Sequence, residues 1–256
     1  MLEVQTYFLS EVGGRSRNED ACGYWTSSGG CCWVVSDGAG GHGSGDIAAR
    51  LVVSTVLNLF APRPSAEPDD AVALLEAAND AVVNEKGSGS TTDDMHATAV
   101  ILLIDRPGGT AVWGHVGDTR IYLFRHGQVV YQTRDHTVVQ NLIDAGYGSV
   151  DMIRTHPQRS LLTSAIGSNE ALALSVVREA TPLTSGDFFL LCTDGWWEHI
   201  QESEMEELLA EASCAAEWLG LMRRLIRQRA PSDNDNYTAL CVTVSDQVPD
   251  ETTVIL

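Results

Sequence analysis

The sequence predicts an α+β fold with antiparallel strands, on three observations. Nine short segments rich in β-branched and aromatic residues, bounded by Gly, Pro, Asp or Ser, read as strands: 4–9, 21–26, 31–36, 97–104, 110–116, 120–125, 128–132, 187–192 and 238–244. Turn signals at Arg106-Pro107-Gly108-Gly109 and His126-Gly127 join neighbouring strands closely enough for hairpins, which argues against a doubly wound parallel sheet. Helical spacing of apolar residues is confined to 45–60, 69–85 and 201–229.

The helix over 69–85 begins with acidic first-turn residues, Asp69 and Asp70, and the pattern over 201–229 breaks near Ser213. Polar connections lie at 62–68 and, rich in Gly, Ser and Thr, at 87–94; both read as loops rather than domain boundaries. No repeat of fixed period is visible. A single domain is expected over 1–245, followed by a flexible, mostly polar tail over 246–256.

A chain of 256 residues, 44% hydrophobic, can bury one sizeable core. Its 35 acidic against 16 basic residues leave a net charge of -19, which repels nucleic acid and anionic membrane and favours basic peptides as macromolecular partners. The N-terminus has no basic stretch followed by a long apolar run, and no window is long enough to span a bilayer, so a soluble, cytoplasmic monomer is expected. The cysteines Cys22, Cys31, Cys32, Cys192, Cys214 and Cys241 form no CxxC pair and mostly sit in apolar runs, where they read as reduced core residues.

Two strands end alike: Trp33-Val34-Val35-Ser36-Asp37-Gly38 and Leu190-Leu191-Cys192-Thr193-Asp194-Gly195. One Asp-Gly after a strand is an ordinary turn; two matching ones call for another reason. Asp235 stands just before the last strand, and Asp118 follows another. If these ends converge, the carboxylates repel unless cations neutralise them. Oxygen ligands without nearby His or thiolate suit Mg²⁺ or Mn²⁺ better than zinc. Two such ions about 3.5–4 Å apart activate water and hold a phosphoryl group for in-line attack. From spacing alone, a metal-assisted hydrolase and a structural cation site both stand.

Gly38-Ala39-Gly40-Gly41-His42-Gly43 fits the dinucleotide pattern G-x-G-x-x-G, but no acidic residue lies between Asp46 and Glu67, where the ribose ligand belongs. The hairpins also disagree with that fold, and the loop lacks the Gly-Lys-Ser/Thr ending of a Walker A.

Eight strings in order carry a resemblance over nearly the whole chain: Arg15-Ser16-Arg17-Asn18-Glu19-Asp20, Ser36-Asp37-Gly38-Ala39-Gly40-Gly41-His42, Val116-Gly117-Asp118-Thr119-Arg120, Thr133-Arg134-Asp135-His136-Thr137, His156-Pro157-Gln158-Arg159, Leu162-Thr163-Ser164-Ala165-Ile166-Gly167, Cys192-Thr193-Asp194-Gly195 and Asp235-Asn236-Tyr237-Thr238. Together they resemble the bacterial form of the 2C-type metal-dependent (PPM) protein phosphatases. The resemblance implies a central β-sandwich of two antiparallel sheets flanked by helix pairs, with two and in some members three Mn²⁺ or Mg²⁺ ions at one end. It implies that Asp37 bridges two metals, that Asp194 and Asp235 complete the first site, and that the Gly38 carbonyl ligates the second. Asp118 with Asp194 would form the third, looser site, while Glu19 and Asp20 hold water around the metals. Arg15 would grip the substrate phosphate with its guanidinium fork, and a metal-bridging hydroxide would attack phosphoserine or phosphothreonine.

The resemblance has departures. Eukaryotic relatives carry a histidine two positions after the bridging aspartate, where this chain has Ala39; His42 is a candidate substitute as proton donor, beside a loop-packing role for it or a water as the acid. His96-Ala97-Thr98 stands where bacterial members usually have Gly-Thr-Thr, which bears on packing. The segment 146–155 corresponds to the variable flap. The implied partners are phosphorylated Ser/Thr proteins and a cognate Ser/Thr kinase. A phosphoprotein-binding pseudophosphatase would have lost a metal carboxylate, and none is lost; a regulatory scaffold or module working with a sensor domain would need room this length does not give.

Overall fold

The computed structural model describes residues 2–39, 44–86 and 95–246; the predicted loop at 87–94, nearly all of the predicted tail, and His42 lie outside them. The chain runs through β1 (Leu2–Glu11), β2 (Ala21–Thr26), β3 (Gly30–Ser36), a short β4 (Gly38–Ala39), α1 (Gly45–Phe60) and α2 (Pro68–Lys86). Then come β5 (His96–Ala97), β6 (Ala99–Asp105), β7 (Thr110–Val116), β8 (Arg120–Arg125), β9 (Gln128–Gln132), α3 (Val138–Asp144) and α4 (Met152–Thr155). The last third holds β10 (Ser175–Val176), β11 (Thr181–Pro182), β12 (Phe188–Cys192), α5 (Asp194–Trp197), α6 (Glu202–Glu211), α7 (Ala215–Arg229) and β13 (Tyr237–Asp246).

The strands form two antiparallel sheets, β1-β13-β12-β8-β9 and β10-β7-β6-β3-β2, with β11 also on β7 and a separate β4-β5 pair. Strand alternation sorts the core into three layers. Cys32 and Val34 of β3 face α1 and α2 with Val52, Leu75 and Ile101. Cys31, Trp33 and Val35 face the other way, into the space between the sheets, against Leu123, Phe189, Leu191 and Leu240. Leu190, Cys192 and Cys241 on the outer face of the β1-β13-β12-β8-β9 sheet meet Trp218, Met222 and Ile226 of α7. Helix pair, sheet, sheet, helix pair is thus the layer order, as the resemblance implied.

Local chemistry sets the turns that matter. His126 and Gly127 both take positive φ, 54° and 77°, as a tight hairpin between β8 and β9 requires. The 201–229 pattern does divide, α6 ending at Glu211 and α7 starting at Ala215. The two Asp-Gly junctions diverge: Asp37 leads into β4, whereas Asp194 opens the four-residue helix α5.

Candidate metal centre

Asp37 sits where β3 ends, pinned through its own backbone. Its N–H donates to Thr98 Oγ1 at 3.1 Å and its carbonyl accepts the Thr98 N–H at 2.8 Å, while Ser36 Oγ donates to the Thr98 carbonyl at 2.7 Å. Thr98 Oγ1 is also hydrogen-bonded to Thr119 Oγ1, at the start of the turn into β8. The His96-Ala97-Thr98 departure therefore keeps the one side chain that orients Asp37.

Gly38 has to be glycine. A Cβ there would stand 2.1 Å from the Gly45 carbonyl oxygen and 2.7 Å from that of Glu19, and the Gly38 N–H donates to the Glu19 carbonyl at 3.2 Å. This close approach brings the β1–β2 connection, the β3 end and the start of α1 together.

From the other sheet, Thr193 and Thr238 lock the ends of β12 and β13. Thr193 N–H donates to the Thr238 carbonyl at 3.0 Å, and Thr238 N–H to Thr193 Oγ1 at 3.0 Å. Thr193 Oγ1 in turn donates to Asp20 Oδ2 at 3.0 Å. Asp235 precedes β13; its Oδ1 accepts the Asn236 N–H and its Oδ2 accepts Arg15 NH2, each at 2.8 Å. Arg15 and Asp235 are both substantially exposed, at 56% and 44% of their side chains.

Asp118 rides a turn after β7. Gly117 adopts φ 91°, where a Cβ would also strike Thr98 Cγ2 at 2.6 Å. His136 clasps that turn twice: its N–H donates to the Gly117 carbonyl at 2.9 Å, and its Nδ1 accepts the Gly117 N–H at 3.2 Å. Burial and the stacked His115 push the His136 imidazole down to about 4, so it stays neutral and able to accept. Trp197 Nε1 donates to the Asp118 carbonyl at 2.9 Å.

The electrostatics show which carboxylates meet. Burial raises Asp37 well above the ordinary carboxylate range, and Asp20, Asp194, Asp118 and Asp235 each add to it. Asp194 is raised likewise, by burial and then by Asp118, Glu198, Asp235 and Asp20. Asp20 and Asp118 are pushed up to about 7, mainly by burial. Glu19 stands at the rim, raised by burial and then by Asp46 and Asp235 and eased by Arg15 and Arg17. Asp20 Oδ1 and Asp194 Oδ1 are buried with no hydrogen-bond partner. Such orphaned acceptors, in an all-oxygen donor set, fit a hard divalent cation. The groups converge without closing, for among the described residues no trio of His, Cys, Asp or Glu stands as a ready-made cage.

Several residues that shape the site carried no assigned role in the sequence. Asn236, 4% exposed, accepts the Glu19 N–H on Oδ1 and donates from Nδ2 to the Val12 and Arg17 carbonyls, each at 2.8 Å. Arg120 is buried against Asp135 by two hydrogen bonds, 2.8 and 2.7 Å, with its guanidinium 3.5 Å from the centre of the Trp197 ring. Arg159 pairs with Glu198 at 2.6 Å, and both line a cleft of about 240 Å³ with Arg15, Asp194 and Asp235. The quoted strings contained Asn236, Arg120, Asp135 and Arg159 but not Trp197 or Glu198, and the partners lie too far apart along the chain for spacing to reveal them.

A family model described as Protein phosphatase 2C matches residues 10–229. A curated relative, the serine/threonine protein phosphatase PstP of Mycobacterium tuberculosis, is 30% identical over 94% of this chain and 45% of its own. The chain thus spans less than half the length of that relative. Among solved structures, PppA, a key regulatory component of T6SS in Pseudomonas aeruginosa, is 32% identical with a TM-score of 0.74, covering 94% of this chain and 97% of that one. The catalytic domain of PstP in complex with two manganese ions is 26% identical with a TM-score of 0.80, covering 96% and 100%.

Proposed function

The chain belongs to the protein phosphatase 2C family, and from that premise we propose that it is a metal-dependent protein serine/threonine phosphatase that reverses the work of a bacterial Ser/Thr kinase. The observation that carries this is one cluster: Asp20, Asp118, Asp194 and Asp235 each add to the charge cost of Asp37 at the end of the sandwich, with the Arg15 guanidinium hydrogen-bonded to Asp235. A structural cation site would explain the carboxylates but leave no use for an exposed arginine at their edge.

Asp37, Asp194 and Asp235, with the Gly38 carbonyl, would hold two Mn²⁺ or Mg²⁺ ions, and Asp118 with Asp194 would hold a third. The solved relative with two manganese ions supports the first two of these sites. Bound there, the ions supply positive charge for the phosphoryl oxygens and acidify a water for in-line attack. Arg15, which donates to Asp235 at 2.8 Å, would offer its fork to two phosphate oxygens of the substrate. Asp20, held by Thr193, and Glu19, held by Asn236, order the water around the cations. The bound substrate is a phosphoserine or phosphothreonine of a protein.

No helix among the described residues is long and apolar enough to cross a membrane, and we place the protein in the cytoplasm beside its kinase. The regulatory part that PppA plays in its own system supports an off-switch role. A pseudophosphatase is disfavoured because every one of the proposed carboxylate ligands is present.

Hydrolysis of a phosphothreonine peptide with Mn²⁺ tests the proposal, comparing the wild type with Asp37→Asn and Asp194→Asn. Release of phosphate that depends on the cation and collapses in both variants is expected. Turnover that survived chelation or both substitutions would overturn it.

A further inference from the structure

The cleft that holds Arg15 and Asp235 continues past them. Pro231 and Asn234 line both that cleft and a second cavity of about 290 Å³, whose other walls include Glu11, Gly13, Arg227 and Tyr237. Arg227, on the last turn of α7, is 57% exposed. Its NH2 donates to Glu11 Oε1 at 3.1 Å, and Arg223 NH1 donates to the same oxygen at 3.3 Å.

One carboxylate oxygen shared by two guanidinium groups is a poor match. Both distances exceed the roughly 2.7–2.9 Å of a good charge-assisted bond. Arg229 shows the contrast nearby, with two bonds of 2.6 and 2.8 Å to both oxygens of Glu204. Arg227 makes one other hydrogen bond, a long one of 3.5 Å from Nε to the Tyr237 hydroxyl. Its fork therefore keeps donors to spare, and Glu11 cancels only one of two positive charges. Arg224 lies one turn earlier, exposed, with no ion pair among the described residues. In a chain of 16 basic residues and net charge -19, Arg223 and Arg227 thus set two positive charges against the single carboxylate of Glu11 beside this cavity.

We propose that this cavity is a subsite for an acidic side chain of the substrate protein, held by Arg227. The enzyme then selects phosphorylated segments that carry Asp or Glu near the phosphorylated residue. The reading rests on the phosphatase activity proposed above and names its substrate class. An extended segment advances about 3.3 Å per residue, and the two cavities share walls, so the acid belongs roughly two to five residues from the phosphothreonine. The acidic remainder of the surface repels such a segment everywhere else, which steers the acid to this patch.

The test uses the whole chain with Mn²⁺ and phosphothreonine peptides in which a single Glu is moved through each position on either side, against an all-Ala peptide. At one position the Glu peptide should have about two- to five-fold higher kcat/KM, through KM, as expected for a screened charge pair, and rising salt should erase the advantage. Arg227→Gln should bring the ratio to about one, Arg227→Lys should keep part of it, and Arg227→Glu should turn the preference to a Lys peptide. No preference in the wild type, or one that survives Arg227→Gln, overturns the proposal. p-Nitrophenyl phosphate separates the two readings: turnover of it without any Glu preference sinks only the subsite, whereas no turnover of it or of any peptide sinks the phosphatase itself.

Discussion

Asn236 at the head of β13 holds Glu19, 217 residues earlier, by accepting its backbone N–H at 2.8 Å. The same amide donates to the Val12 and Arg17 carbonyls, so one buried side chain fastens the whole β1–β2 connection that carries Arg15, Glu19 and Asp20. Replacing it by Ala leaves three backbone groups without their partner. We expect Asn236→Ala to cost about 2–4 kcal/mol of stability and to lower kcat/KM at least about ten-fold, since the displaced connection carries the proposed phosphate-binding and water-ordering residues. Denaturant unfolding and steady-state kinetics on one preparation check both.

Arg15 is the opposite case, a residue with a proposed role at the phosphate and little structural weight. Its pair with Asp235 is exposed, so Arg15→Ala should change stability by less than about 1 kcal/mol. It should nevertheless lower kcat/KM by roughly 10- to 100-fold, the range expected for removing one charged donor from a developing phosphoryl charge. Arg15→Lys should recover only part, because an ammonium cannot offer a planar fork. An Arg15→Ala enzyme with wild-type kinetics would remove it from the phosphate.

Stability against pH should reveal the carboxylate cluster directly. Asp20 and Asp118 have folded values of about 7 against an ordinary 3.8. Raised values mean the folded state binds more protons than the unfolded chain, so their contribution is present below pH ~4 and lost as pH climbs through about 7. The metal-free protein should therefore become less stable between pH 5 and 7.5, by about 2–4 °C in Tm for each kcal/mol lost. Mn²⁺ at pH 7.5 should reverse the loss by binding the ionised form. Thermal melts at both pH values, with and without Mn²⁺ and with a chelator as control, decide it; a flat metal-free profile would count against the convergence of these groups.

Arg120 and Asp135 are almost wholly buried against each other. Removing the acid alone, as in Asp135→Ala, leaves the buried Arg120 charge with only the more distant Glu202 carboxylate, 3.6 Å away, and should cost about 3–5 kcal/mol. Since Arg120 lies across Trp197, whose indole holds the Asp118 carbonyl, the same variant should weaken cation binding at the third site proposed at Asp118. Chemical denaturation and a Mn²⁺ titration measure the two effects separately.

Long elements were legible because periodicity speaks over many residues. The strands 21–26, 110–116, 120–125 and 128–132 and the helix 45–60 coincide with the observed bounds. The short ones, α3, α4, α5, β10 and β11, were not anticipated: four residues hold barely one helical turn and two residues no alternation. Asp194 illustrates the point, since its strand-turn sequence matches that of Asp37 while its backbone turns helical. The aspartates themselves were readable from ordered strings. The residues that aim them were not, because Thr98, Thr193 and Asn236 act through hydrogen bonds to partners distant in the chain.

The two halves of the centre come from different sheets: Asp37 leaves β3 on one, while Asp194 and Asp235 flank β12 and β13 on the other. Turnover is therefore a gauge of how tightly the halves of the sandwich are clamped. On gentle heating or in low denaturant, a slip between the sheets would silence the enzyme while both keep their internal ladders. Inactivation should then run ahead of the far-ultraviolet circular dichroism transition.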